Sequence, residues 1–247
     1  MQFRLPVISS LVITGFIASC QPKLDPPVDT GYNYYPTDTG RYYIYNVDSI
    51  WIDCPLANDT FFYQVKETYP STFTDGMGDQ AVNVTRYYRT DTAQSWLLAT
   101  PDVWWLKRTT TRLEKAEENL RFVKMTYPID VNYIWNGNAY NSLGAQDYFY
   151  GPEDIPFNNG FTNFDSTITV YQKLDTNLIE YIYYTETYAR GIGMVHKRKY
   201  QVDHLRIDTT TCSPWPYPGT NWPVVPALKR IKTGSIVTYK LVEYGFE

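Results

Sequence analysis

Three groups of residues in this 247-residue chain are of types that could do chemistry. Glu114, Glu117 and Glu118 could supply a glycosidase pair, which needs one carboxyl to protonate a leaving group and a second about 5 to 10 Å away. Their neighbours Arg112, Lys115 and Arg121 argue instead for a solvated, charge-mixed hairpin tip. His196 and His204 are the only histidines. On an unbroken strand they would share a face but stand roughly 26 Å apart, too far to ligate one metal. No HExxH, GxSxG or CxxC pattern occurs. The sequence therefore assigns no catalytic residue, no metal ligands and no cofactor.

Two further motifs are turns in disguise. Asp29-Thr30-Gly31 and Asp38-Thr39-Gly40 each match the tripeptide of aspartic proteases, whose paired carboxylates share a proton. Those enzymes draw the two aspartates from separate lobes or subunits, whereas these lie close together in or beside a Pro-rich stretch. Asp and Gly are turn formers, and that is the reading here. Gly76-Met77-Gly78-Asp79-Gln80-Ala81 formally fits a dinucleotide fingerprint, which must follow a buried strand and open a helix. A β run from Val82 to Tyr88 follows it, so a Gly-rich hairpin turn is expected.

The cysteines carry the clearest chemistry. Arg4 and the free amino group precede an apolar stretch, Leu5 to Ile17, too brief to span a bilayer, and this reads as a signal peptide over residues 1–19. It ends in Ile17-Ala18-Ser19-Cys20, which resembles the bacterial lipobox: small residues admit the peptidase, and the Cys20 thiol accepts a diacylglycerol thioether. Fatty acyl chains such as palmitate hold a protein at a membrane by about 0.8 kcal/mol per buried CH₂, so the membrane partner is reached through lipid on Cys20. Residues 20–35, with Pro22, Pro26 and Pro27, read as an extended tether. Gln21 replaces the Asp of an inner-membrane retention signal, which favours the outer membrane. No acidic run follows Cys20, so periplasmic and outward orientations both stay open. In an oxidising compartment Cys54 and Cys212 could pair, closing about 158 residues and contributing at most roughly 5 kcal/mol. Two separate thiols are the alternative.

These residues need a scaffold, and composition indicates sheet. The chain is 43% hydrophobic and 17% aromatic with 24 Tyr, residues that favour pleated, half-buried surfaces. A net charge of −4 without a Lys/Arg cluster argues against nucleic acid as a partner. Tyr43, Tyr45, Val47 and Trp51 alternate with polar residues, as do Ile168, Val170 and Leu174, and Val237, Tyr239 and Leu241. Strands are expected near residues 41–52, 61–69, 81–90, 95–99, 103–113, 119–127, 166–174, 178–189, 192–207 and 235–245. Short polar links suit antiparallel hairpins. The expected fold is all-β: one antiparallel domain of about ten strands over residues 36–247, with little helix. A strongly curved sheet or partly open barrel is expected, with a β-sandwich as the alternative. Arg112 to Leu120 reads as a hairpin tip, with a short helix as the alternative. Residues 136–165 and 208–232 are irregular and should pack over the sheet or its open end. Within the second, Trp215, Tyr217 and Trp222 are rigid aromatics on a Pro-stiffened loop, suited to a partner's surface or to capping the sheet.

Four segments carry a resemblance: Tyr34 through Tyr45, Ile134 through Asn138, Glu186 through Val195, and Tyr239 through Tyr244. Together they resemble a group of Bacteroidota envelope lipoproteins. The resemblance implies an envelope β domain and supplies no activity, ligand or functional residue. The expected role is a non-catalytic envelope domain that binds a protein, lipid or glycan partner. A structural coat protein and an envelope glycan hydrolase are the alternatives. Asp48-Ser49-Ile50, Asp91-Thr92-Ala93 and Asp208-Thr209-Thr210 also resemble O-glycosylation sites of Bacteroidota.

Overall fold

Alternating tyrosine and β-branched residues keep the chain extended almost throughout a computed structural model. It describes residues 28–53, 58–99, 103–177, 180–203 and 231–247, and the backbone of 207–208 and 213–214. After a single 3-10 turn at Tyr32–Tyr34 the first half forms β1 (Arg41–Asp53), β2 (Asp59–Thr68), β3 (Thr72–Thr74), β4 (Gln80–Arg89), β5 (Leu97–Leu98), β6 (Trp104–Arg108), β7 (Arg112–Glu117) and β8 (Leu120–Thr126). The second half forms β9 (Ile134–Asn136), β10 (Asp147–Tyr150), β11 (Ile155–Asn158), β12 (Asn163–Thr176), β13 (Glu180–Ala189) and β14 (Gly193–Asp203). The small pair β15 (Ile207–Asp208) and β16 (Ser213–Pro214) precedes β17 (Thr233–Phe246).

Fifteen of these strands make one sheet in the order β8-β7-β6-β4-β2-β1-β17-β14-β13-β12-β10-β9, with β3 and β5 beside β4 and β11 beside β12. The first and last long strands lie side by side, from Arg41 opposite Phe246 to Asp53 opposite Thr233. Bulges at Ile44/Tyr45, Leu113/Glu114, Tyr171/Lys173 and Thr187/Tyr188 bend the strands, since each adds one residue against the partner strand. The sheet curls until its two edges meet. Val123 N donates to Gly137 O at 2.9 Å, and Trp135 Nε1 donates to Val123 O at 2.9 Å. Tyr150 Oη then takes both backbone groups of Thr126 at 2.8 Å.

The all-β, antiparallel, partly open barrel is thus the observed architecture, and the sandwich is not. The strands outnumber the expected ten: β10 and β11 run through residues 136–165, expected to be irregular, the strand expected at 103–113 is split into β6 and β7, and the short β3, β9, β15 and β16 are added. The run from Arg112 to Leu120 is a hairpin, as expected, but its turn is only Glu118-Asn119, both with positive φ, of 51° and 64°. Gly76 to Asp79 is the expected Gly-rich turn. Asp75 N donates to Asp79 O at 2.9 Å, and buried Lys107 ties Asp75 and Asp79 together at 2.6 and 3.0 Å.

One continuous core fills the barrel. Tyr34, Tyr45, Tyr188, Leu106, Leu113, Met125, Ile168 and Leu241 are fully buried in it. A buried tyrosine hydroxyl favours a partner, and two find one: Tyr45 Oη donates to Met194 O at 3.2 Å and Tyr34 Oη to Asp154 Oδ1 at 2.7 Å. Tyr34 and Tyr35 belong to this core, so packing begins within the segment expected to be tether. Arg190 pins that segment, reaching Asp29 at 2.7 Å, Glu153 at 2.8 Å and Asp154 at 2.6 Å.

Candidate binding pocket

Inward-facing positions of the barrel carry charge as well as rings. Lys115 of β7 reaches Glu67 of β2 at 3.0 Å, and Arg86 of β4 lies 3.4 Å from the same carboxylate. Farther along, Glu117 of β7, Lys124 of β8, Glu186 of β13 and Lys197 of β14 form a closed ring of alternating sign. Its contacts are 3.1 Å for Lys124–Glu117, 3.0 Å for Lys124–Glu186, 3.0 Å for Lys197–Glu186 and 3.7 Å for Lys197–Glu117. Tyr188 Oη donates to the free oxygen of Glu186 at 2.5 Å. Burial alone would push both carboxyls up, but the Lys124 and Lys197 ammoniums outweigh it and hold both below the ordinary glutamate value. Burial would likewise lower Lys197, and Glu117 and Glu186 hold it high. Glu117, Glu186 and Lys197 are thereby held charged, and each of the four groups has its partners within the ring.

Beside the ring opens a cavity of about 450 Å³. Phe122, Tyr148 and Tyr184 give it aromatic walls, and Lys124, Lys197 and Gln172 lie among its lining groups. Lys173, Tyr184 and Lys199 stand in one row across β12, β13 and β14, so the two ammoniums flank a ring on the same face. Lys199 Nζ lies 5.3 Å from the centre of the Tyr184 ring, and Tyr184 Oη is held by Gln201 at 2.5 Å. Burial and the charge of Lys197 both push Lys199 below the ordinary lysine value. Gln172 is only 8% exposed, and its Nε2 has no partner among the described residues.

The remaining wall is a chain of asparagine turns. Asn136 Oδ1 accepts from Asn138 N and from Gln146 N, both at 3.0 Å, and Asn138 Nδ2 donates to Gly144 O at 2.8 Å. Asn141 Nδ2 ties this turn to β8 through Arg121 O at 3.0 Å. Gly137 is glycine for a steric reason: a Cβ there would stand 2.3 Å from the Tyr148 ring.

The residues singled out in the sequence fall elsewhere. Cys20, Cys54, Cys212, Trp215, Tyr217, Trp222 and His204 lie outside the described residues. Glu114 and Glu117 are not on a solvated tip; both sit in β7, and only Glu118 is exposed. Glu114 is sealed between Arg112 Nε at 2.5 Å and Arg121 Nε at 2.7 Å, on the other side of β7 from the ring. His196 is buried against Phe157, with ring centres 5.3 Å apart. Burial, then Arg198 and Lys240, push it down to about 4, so it is neutral. Asp29 caps the Gly31 amide at 2.9 Å and Asp38 pairs with Arg41 at 2.9 Å, so both Asp-Thr-Gly segments are turns. Ser49 is buried within β1, which closes that hydroxyl to modification, whereas Asp91-Thr92-Ala93 forms an exposed turn.

Lys124, Gln172, Lys197 and Lys199 were not singled out from sequence. The available signal was charged residues at alternate positions inside tyrosine-rich strands, as at Glu186 with Tyr188 and at Lys197 with Lys199.

The fold and pocket define a class: an antiparallel barrel with a charge-paired interior and a walled pocket beside it. No family model matches the chain, and no curated protein matches it.

Proposed function

We propose that this protein is a lipid-anchored, non-catalytic binding domain of the bacterial cell envelope that holds a glycan in the pocket beside the Glu117–Lys124–Glu186–Lys197 ring. The observation that carries this reading is Gln172, a buried donor with no acceptor among the described residues, lining a cavity with three aromatic walls. Pockets of a few hundred Å³ with apolar walls and few polar groups are the usual form of a small-ligand site. Rings suit the apolar faces of a sugar, and amide and ammonium donors suit its oxygens. A coat protein has no need of such a cavity.

Hydrolysis of the glycan fits less well. Lys124 bridges Glu117 and Glu186, which brings two carboxylates near each other, but a glycosidase acid must have its pKa raised. Both of these are pushed down.

The membrane address rests on Ile17-Ala18-Ser19-Cys20 and the Pro-rich residues after it, and the resemblance to Bacteroidota lipoproteins agrees with it. Mass spectrometry of the mature protein is expected to show acylation at Cys20 and no residues 1–19; a Cys20→Ser variant should lose the lipid. For binding, the mature chain carrying Cys20→Ser is immobilised and offered soluble envelope glycans and crosslinked envelope proteins. Glycan retained in stoichiometric amount supports the proposal, and persistently bare protein ends it.

A further inference from the structure

We infer that the pocket is an anion site, and that its ligand carries a carboxylate or phosphate on a body the size of one or two sugars. This rests on the reading of the pocket as a binding site and names the chemistry it selects.

The charge balance is the first argument. The ring is neutral in itself, since Glu117 and Glu186 are matched by Lys124 and Lys197. Lys173, Arg198 and Lys199 line the same cavity, and none of them makes an ion pair with an acidic side chain among the described residues. Of these, Lys173 and Lys199 share the face of the sheet that carries Lys197, whereas Arg198 alternates to the other face with His196, and Glu117 is the acid in the lining. Lys199 lies below the ordinary lysine value through burial first and the charge of Lys197 second, with Glu118 and Glu117 acting the other way. An anion in the cavity would relieve this repulsion.

Gln172 is the second and independent argument. It sits on β12 at the bulge before Lys173, is only 8% exposed and lines the cavity, and its Nε2 is buried with no acceptor among the described residues. Native proteins seldom leave such a donor unmatched, because the lost hydration is not recovered. A carboxylate or phosphate oxygen is an acceptor that would satisfy the amide and meet the cations at once. The volume of about 450 Å³ and the walls of Phe122, Tyr148 and Tyr184 leave room for a ring against rings.

The test is calorimetric titration of the mature chain carrying Cys20→Ser at low ionic strength, with glucuronate, glucose 6-phosphate, inorganic phosphate and glucose as probes. Binding of glucuronate or of glucose 6-phosphate, weakened by added salt, is expected, with at least about tenfold weaker binding of glucose. Which of the two anions binds more tightly assigns the acid group. Lys199→Met and Gln172→Met should each weaken the better anion by about tenfold or more. Gln172→Met should at the same time raise Tm, since it removes an unmatched buried donor, which separates loss of a binding group from loss of fold. Glucose binding as well as the anions, neither sugar anion binding, inorganic phosphate alone binding, or both variants binding like the parent would overturn the inference. Envelope glycan captured equally by the parent and by Lys199→Met would sink it while leaving the proposed function standing. Anion binding without glycan capture would do the reverse.

Discussion

Glu117 on β7 and Glu186 on β13 share the same two cations, Lys124 and Lys197, although 69 positions separate them in the chain. Each acid has one cation across its own hairpin, Lys124 for Glu117 and Lys197 for Glu186, and the wall of the barrel brings the two pairs together. Removing one member of a buried ion set leaves its partners charged and desolvated, at a cost of about 3 to 5 kcal/mol. Glu186→Gln should therefore lower stability by about that much in urea unfolding. Asp38→Asn, which breaks the exposed pair with Arg41, should cost less than about 1 kcal/mol. Equal effects of the two substitutions would show that the ring does not hold the barrel. The sign with pH follows from the lowered carboxyl. Glu186 contributes fully above the ordinary glutamate value, and that contribution is lost as pH falls toward about 2.

His196 gives a second pH dependence in a different window. Its folded value of about 4 lies below the ordinary 6.5, so the unfolded chain binds the proton first. Stability is then greatest above pH 6.5 and declines as pH falls toward 4, by on the order of 3 kcal/mol for this group alone. His196→Phe keeps a ring against Phe157 and has nothing to titrate. Thermal unfolding between pH 4 and 6.5 should show a flatter slope for the variant than for the parent; the same slope in both would place the titration elsewhere.

The long strands were legible because their alternation runs far enough to be periodic, as in β1, β12 and β17. β9, β10 and β11 were not, since three or four residues cannot establish a period, and Pro156 inside β11 argues against a strand there. The charge ring was hidden for another reason. Arg112 to Leu120 carries five charged residues, and a charged run is ordinarily a solvated face. Here the barrel turns Lys115 and Glu117 inward, where their partners come from β2, β8 and β14. No local pattern contains that information. Gln172 was unreadable for the same reason, since a bulge decides which way it points.

The seam between β8 and the β9–β10 hairpin is held largely by side chains rather than by a full ladder. Trp135 Nε1 on Val123 O is its central bond. Trp135→Phe keeps an apolar ring and removes the donor, which should cost about 1 to 3 kcal/mol. The loss should be local. In hydrogen exchange, the Val123 and Gly137 amides, which flank the seam, should exchange faster in the variant, while amides between β1 and β17 stay as protected as before. Unchanged exchange at the seam would mean that the barrel closes by other contacts.

Gly137 connects a steric detail of the sequence to the pocket itself. A Cβ at this position would stand 2.3 Å from Cζ and 2.4 Å from Cε1 and Cε2 of Tyr148, closer than atoms can approach. Either the ring moves or the asparagine turn does, and Tyr148 is braced by Trp135, with ring centres 6.1 Å apart. Gly137→Ala should therefore destabilise the protein by about 1 to 3 kcal/mol, the usual range for overpacking. Because Tyr148 and the turn are both walls of the cavity, the same substitution should weaken whatever the pocket holds. The clash names its own control. Tyr148→Ala removes the ring, so Gly137→Ala added to Tyr148→Ala should cost much less than it does alone. Thermal unfolding of the two single variants and the double gives the coupling directly, and additive losses would show that the glycine serves the turn rather than the pocket wall.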